Sequence, residues 1–320
     1  MSIMSATHSL KAQNDYLHGS FSREYQPIIT INSGDSIKMN TIGLEWGYSH
    51  ADGRKEKFES REDEQGLGHP LIGPIEVKGA RPGMTLEVKI NELIPSWYGW
   101  NVAGGSNGWH NISLGLSEVP QIKLDWELDR EAMTGSTQIG DRTFTVPLTP
   151  FMGVMSTAPS EEGCHSTIPP RYCGGNIDCK ELVKGSVLYL PVAVEGAMFS
   201  VGDGHAAQGD GEVSGTAIEC PMDEVNLTLT IHEDLTLEMP RANTPSGWIT
   251  FGFNDDLNKA TVMALDGMLH FMQETFGLDK TEAMAIASVS VDLRITQIVN
   301  GVKGVHAVLP HGVIQQISNK

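Results

Sequence analysis

The sequence predicts a mainly β protein with some helix, an α+β fold. We expect a duplicated β-sandwich or barrel-like core with helices at its C-terminal end. Three observations carry this. Short runs of alternating apolar and polar residues recur along the chain, as half-buried strands require. Glycine (35 residues) and proline (16 residues) punctuate those runs, which favours short strands and turns over long helices. Clear helical spacing of apolar residues is confined to the stretch after residue 254. A length of 320 residues suits one large domain or two moderate ones. We divide the chain into an N-terminal mainly β region, 1–150, and a second β region, 151–320. The second carries a glycine-rich acidic loop and the helices, and the two are expected to pack as one unit.

The elements follow in order. Residues 28–37 read as strand, tight turn, strand around Ser33-Gly34-Asp35. Residues 74–90 repeat that grammar: Ile75 and Val77, a turn at Arg81-Pro82-Gly83, then Leu86, Val88 and Ile90. Residues 96–118 differ, with Trp97, Tyr98, Trp100 and Trp109 set among glycines. Such a segment is either a lid or a packed surface loop, and we expect the second. Strands are expected over 187–194, 215–218 and 225–231, with a second apolar stretch over 197–201. Asn254 or Asp255 is placed to cap a helix over 257–276, where Val262, Leu265, Leu269 and Met272 recur at helical spacing and Gly277 ends it. Asp279 and Glu282 form a capping box for a second helix through about residue 289. A strand over 293–299 follows.

Composition narrows the function. A net charge of −18, with no basic cluster longer than Arg54-Lys55, argues against nucleic acid and against anionic membranes as partners. No apolar run approaches the roughly 20 residues that span a bilayer. Residues 1–22 are polar and lack the apolar core of a secretory signal, so a cytoplasmic location is expected. Cys164, Cys173, Cys179 and Cys220 show no C-x2-C spacing and read as free thiols rather than a structural zinc site.

The segment with most chemistry is Gly202-Asp203-Gly204-His205-Ala206-Ala207-Gln208-Gly209-Asp210-Gly211-Glu212-Val213. It packs four glycines, two aspartates, a histidine and a glutamate into twelve positions. Glycine allows sharp turns through positive φ, so such a loop can aim several polar groups at one point. Asp, His and Glu bind cations and move protons. Clustered acids without basic neighbours repel one another, and a cation is the simplest remedy. The plain alternative is a turn, since Asp and Gly are common turn residues and Asp203 and Asp210 can form Asx-turns.

This segment resembles the most distinctive motif of the acetamidase/formamidase family. Gly174-Gly175-Asn176-Ile177-Asp178 is similar to the family's GGN-x-D element. Gly68-His69-Pro70-Leu71-Ile72-Gly73-Pro74 is similar to its H-P-x-T-G-P element, with Ile72 where Thr is usual. Ser33-Gly34-Asp35, Pro150-Phe151-Met152-Gly153-Val154 with Ala158-Pro159, and Ser290-Val291-Asp292-Leu293-Arg294 fall in the family's order, so the likeness runs from about residue 15 to about 310. The resemblance implies hydrolysis of a simple aliphatic amide, such as formamide or acetamide, to carboxylate and ammonia. It also implies a largely β fold with helices, dependence on a divalent metal and assembly into homo-oligomers.

On that basis Asp178, Asp203 and His205 are our expected metal ligands, with Zn²⁺ preferred and Ca²⁺ the alternative. Glu212 is the expected general base and later acid. Asn176 is placed to orient the amide or its developing oxyanion. His69 is either a further ligand or a substrate-binding group. Each has a plainer reading: Asp178 as a turn cap, Asn176 as a left-handed backbone position, His69 as a satisfied loop histidine, Glu212 as a solvated carboxylate. Two other functions stay open. One is an amidase with a covalent nucleophile, for which Cys173 is the best-placed cysteine. The other is a non-catalytic protein whose loop holds a metal or small polar ligand.

Overall fold

Two large sheets and a layer of helices make up the computed structural model, which describes residues 5–62 and 68–316. Residues 1–4 of the polar N-terminal stretch and 317–320 of the second region lie outside the described residues. The fold is mainly β with few helices, as expected. The larger sheet has nine strands. Their order is Thr7–Ser9, Asp35–Met39, Met222–His232, Thr85–Pro95, Val187–Pro191, Arg241–Thr244, Gly247–Asn254, Lys303–Pro310 and Asp292–Gln297. All neighbours are antiparallel except the first pair.

The second sheet has seven strands. Its order is Pro170–Arg171, Gly174–Asn176, Phe151–Ser156, Phe199–His205, Leu71–Val77 and Leu17–His18, with Ile29–Ile31 pairing in parallel to Leu71–Val77. Each sheet draws strands from both sides of residue 150. One apolar core joins them: Ile72, Ile75, Phe199 and Val201 of the seven-stranded sheet cluster with Leu86, Val88, Ile90, Leu188 and Leu227 of the nine-stranded one. Each such side chain contributes roughly 1.5–3 kcal/mol when fully buried.

The helices cover the other face of the larger sheet. Along Gly247–Asn254, Ile249, Phe251 and Phe253 face the inter-sheet core, while Trp248 packs with the helical cluster of Ala260, Ala264, Met268 and Met272. The helix Leu257–Phe276 approaches so closely that a Cβ on Gly252 would sit 2.0 Å from the Ala260 carbonyl oxygen. Its N-cap is Asp256, which accepts from the Asn258 and Lys259 amides, rather than Asn254 or Asp255. The reason is that Asn254 still belongs to the strand, opposite Lys303. Gly277, at φ 68°, ends the helix, and the Asp279/Glu282 capping box starts Lys280–Ser290, both as predicted. Among the described residues no helix is long and apolar enough to cross a membrane.

Two further expectations fail. The Gly/Trp segment is not a loop throughout: Tyr98–Ala103 is the first strand of a four-stranded meander completed by Ile122–Asp129, Thr134–Ile139 and Arg142–Pro147. Its indoles act as anchors: the Trp97 N–H donates to the Ser49 carbonyl, and the Trp126 N–H to Asn101 Oδ1. Residues 215–218 form no strand. They follow a turn and lead into Glu219, which forms isolated β-bridges to both Trp100 and His205.

Candidate active site

Three neighbouring strands of the seven-stranded sheet place the acidic groups. Phe199–His205 is buried along its whole length and pairs with Phe151–Ser156, which pairs on its other edge with Gly174–Asn176. Asp203 and His205 come from the first of these strands, and Asp178 stands two residues beyond the last. Gly153 lies between them on the middle strand. A Cβ there would fall 2.4 Å from Asp203 Oδ2, 2.6 Å from Asp178 Oδ1 and 3.0 Å from His205 Cε1, so only glycine leaves room for the carboxylates.

The backbone at the acids is unusual. Asp178 (φ 52°), Asp203 (φ 62°) and Glu212 (φ 47°) all occupy the left-handed region, which L-residues other than Asn, Asp and Gly seldom adopt. Left-handed geometry in this loop was expected at its glycines. Among them only Gly211, at φ 95°, shows it. Gly202 and Gly204 instead permit close packing: their Cβ atoms would lie 2.3 Å from the Pro70 carbonyl oxygen and 2.5 Å from that of Cys220. Strained positions of this kind cluster at functional sites.

Around His205 the geometry is tight. Its Nε2 lies 3.4 Å from Asp203 Oδ2 and 3.2 Å from Glu219 Oε2, and its Nδ1 lies 4.0 Å from Asp178 Oδ1. Phe151 packs edge-on to the imidazole, with ring centroids 5.0 Å apart. Gln208 sets the tautomer. Its Nε2 donates to the Asp178 carbonyl at 2.8 Å, which turns Oε1 toward His205 Nδ1 at 3.1 Å. Nδ1 therefore carries the hydrogen, and Nε2 faces two carboxylates. That arrangement calls for a positive charge at Nε2, either a proton or a metal ion.

Five groups meet here, and Asn176 is buried on the neighbouring strand Gly174–Asn176. Asp178, Asp203, His205, Glu212, Glu219 and Asn176 are each 6% exposed or less. Asp178, His205 and Glu212 present ligand atoms within 4.8 Å of one another, and so do Asp203, His205 and Glu219. Asp178 Oδ1, Asp203 Oδ1, Glu212 Oε2 and Asn176 Oδ1 are buried with no hydrogen-bond partner among the described residues. Orphaned buried oxygens are rare in native proteins and demand an explanation. Among the described residues no lysine or arginine pairs with the four acids; their only ionic partners are histidines. Carboxylate and imidazole donors in this number fit a divalent cation.

The titration behaviour shows the same imbalance. Burial, reinforced by Asp203 and Glu219 and only partly offset by His205, pushes the Asp178 carboxyl up to about 8. Burial acts likewise on Asp203, but His205 and His69 outweigh it and hold that carboxyl down at about 2. Burial and the Asp178 charge raise Glu212 well above the usual carboxylate range. Burial would lower His205, yet Glu219 and Asp203 raise it well above an ordinary imidazole.

His69 joins from the rim. Its Nδ1 bonds Thr167 Oγ1 at 2.7 Å, and its Nε2 lies 3.9 Å from Asp203 Oδ2. Asp210 stays outside the cluster, paired with Lys180 at 3.1 Å. Sequence reasoning missed Glu219, Asn300, Gln208 and Thr167. The Asn300 Nδ2 donates to Asp178 Oδ2 at 2.6 Å, across from the far sheet. Glu219 had a signal, a lone acid inside the apolar run 217–222; Asn300, beside Gly301, looks like any turn residue. A cavity of about 760 Å³ opens beside the cluster, lined among others by Asn101, Trp126, Lys180, Gln208 and Glu212. Cys173 is fully buried, with Sγ 3.7 Å from Ser156 Oγ, and burial pushes its thiol up to about 11.

Comparison with known proteins agrees with these motifs. The model of the Acetamidase/Formamidase family matches residues 4–166 and 161–316. The chain is 25% identical over 291 residues to the acetamidase of Mycolicibacterium smegmatis, covering 73% of this chain and 70% of that one. It is 25% identical over 248 residues to the formamidase of Methylophilus methylotrophus, covering 63% of this chain and 60% of that one. A solved structure of a predicted acetamidase/formamidase from Thermoanaerobacter tengcongensis superposes with a TM-score of 0.81 at 27% identity, over 96% of each chain. With the family's model matched along nearly the whole sequence, the chain belongs to the acetamidase/formamidase family.

Proposed function

We propose that the protein hydrolyses a small linear amide of the formamide or acetamide type to carboxylate and ammonia, with a divalent cation held by Asp178, Asp203 and His205 and joined by Glu219. The observation that supports this most is the set of orphaned carboxylate oxygens around His205, in a buried site where, among the described residues, no lysine or arginine pairs with the acids. A cation there supplies Lewis acidity, which polarises a carbonyl and acidifies water. The imidazole nitrogen in the donor set favours Zn²⁺ over Ca²⁺, which takes oxygen ligands.

The chain's own residues supply the rest. Glu212 lines the cavity with one oxygen unpaired; a cation beside it would offset the acidic charges that hold it protonated and leave it ionised to take a proton from the attacking water. As the water oxygen adds to the carbonyl carbon and the C–N bond breaks, Glu212 returns that proton to the departing nitrogen. Asn176 orients the amide oxygen, and His69, held by Thr167, binds from the rim. Asn300 and Gln208 hold Asp178 and His205 in place. Cys173 is a poor nucleophile, since a buried thiol with a raised pKa carries little thiolate. We further read the protein as a cytoplasmic homo-oligomer; the exposed apolar side chains of Trp109, Ile112, Leu114, Val119 and Ile122 support self-association.

The test is ammonia release from formamide, acetamide and propionamide, before and after chelation, with Zn²⁺ added back. Release that chelation stops and Zn²⁺ restores is the expected result. Release that persists in protein shown to be metal-free would overturn the cation-dependent reading.

A further inference from the structure

A second group of metal-type donors lies just beyond Asp178. Cys179 and Glu181 follow it in sequence, and His306 comes from the strand Lys303–Pro310 of the other sheet. All three are buried, and their ligand atoms lie within 4.8 Å of one another. Cys179 Sγ is 3.3 Å from Glu181 Oε2, which is 3.5 Å from His306 Nε2. Ligand bonds of about 2.0–2.3 Å at tetrahedral angles give edges of roughly 3.3–3.6 Å, so these separations match two edges of a zinc coordination shell.

The surrounding bonds point the same way. His306 Nδ1 is anchored on Thr296 Oγ1 at 2.8 Å, leaving Nε2 to face Glu181 and Cys179. That Nε2 has no hydrogen-bond partner among the described residues, and the residue is 0% exposed. Arg294 donates to Glu181 Oε1 at 2.8 Å, which orients the carboxylate while Oε2 stays turned to the cluster. The Arg294–Glu181 ion pair accounts for Oε1, while His306 Nε2 faces Glu181 Oε2 at ion-pair distance, 3.5 Å, without a hydrogen bond among the described residues. Glu181 also lines the 760 Å³ cavity, which gives an ion a way in.

We propose that Cys179, Glu181 and His306 supply three of the four ligands of a second zinc-type site, separate from the Asp178–His205 cluster. Its ion ties the segment that carries Asp178 to the strands Asp292–Gln297 and Lys303–Pro310. The thiol loses its proton to solvent on binding, and no redox change is involved. The inference does not depend on amide hydrolysis.

Cobalt substitution tests it. The protein is stripped with a chelator and reloaded with Co²⁺, then examined by near-ultraviolet absorption for a thiolate-to-cobalt band. The oxygen and nitrogen donors of the other cluster cannot produce that band. The wild-type protein is expected to show it, Cys179→Ser to lose it together with one bound ion per chain, and Asp203→Asn to keep it. Absence of the band in folded, cobalt-saturated wild type overturns the site, as does its survival in Cys179→Ser. Should Cys179→Ser fail to fold, X-ray absorption of the zinc-loaded wild type decides instead. One sulfur neighbour at about 2.3 Å supports the site and none refutes it.

Discussion

The helical layer and the acidic cluster of this protein obey opposite rules. In the helices each local preference agrees with the final structure. Asp256 and Asp279 cap, Gly277 takes the left-handed C-terminal position, and alanines line the packed face. In the cluster local preference is overridden. Two aspartates and a glutamate take left-handed backbone, and buried oxygens lack partners. Consistency across levels is what makes a sequence fold, and departures from it concentrate where function is. The contrast makes a prediction about mutations: the cluster should lose chemistry before stability, and the helical layer stability before chemistry.

The largest effect is expected at Glu212. Changing it to Gln should lower the rate of amide hydrolysis about 10²–10⁴-fold while melting and circular dichroism stay near wild type. A large drop in melting temperature with retained turnover would make Glu212 a structural residue and dissolve the contrast. Two glycine variants sharpen it further. Gly153→Ala drives a methyl into the carboxylates of Asp203 and Asp178 and should weaken cation binding roughly 10–100-fold. Gly252→Ala drives one into the Ala260 carbonyl and should cost about 1–3 kcal/mol of stability, read by denaturant unfolding, with activity per folded molecule kept.

Next in size is a pH effect. The Asp178 carboxyl, raised to about 8, binds its proton more tightly in the folded cation-free protein than in the unfolded chain. Between about pH 4 and 8 the folded state therefore holds more protons, so stability must fall as pH rises through that window. Thermal melts of chelated protein should show this decline, and added Zn²⁺ should flatten it. A decline unchanged by the cation would place its origin elsewhere. The smallest effect is expected at Asp279→Ala, about 1 kcal/mol from loss of the capping box, with turnover untouched.

The same contrast explains what the sequence made legible. The helix 257–276 and its C-terminal glycine were readable because caps and apolar spacing act within a turn or two of the chain. The strands over 28–37, 74–90 and 225–231 were readable from alternation. The meander after residue 121 went unread, although Ile122, Leu124, Trp126 and Leu128 alternate with Lys123, Asp125 and Glu127; its first strand, Tyr98–Ala103, lies in the stretch 96–118 whose tryptophans and glycines read as a loop. In the cluster, Asp178, Asp203, His205 and Glu212 stood out because they carry motifs. Asn300 did not, because its partner lies 122 residues away and nothing nearby marks it. Gly153 was visible only as part of a motif; that it is the floor beneath two carboxylates follows from strand register, which no local pattern encodes.

The left-handed acids have a consequence for how this protein would respond to selection. A non-glycine residue held there costs on the order of 1–2 kcal/mol, the cost falling more on Glu212 than on the two aspartates. Glycine at Asp178, Asp203 or Glu212 would relieve that strain and remove a crowded charge as well. A library screened for heat resistance alone, with no demand for turnover, should therefore enrich glycine or asparagine at these three positions. The surviving clones would be hardier than the parent and inert.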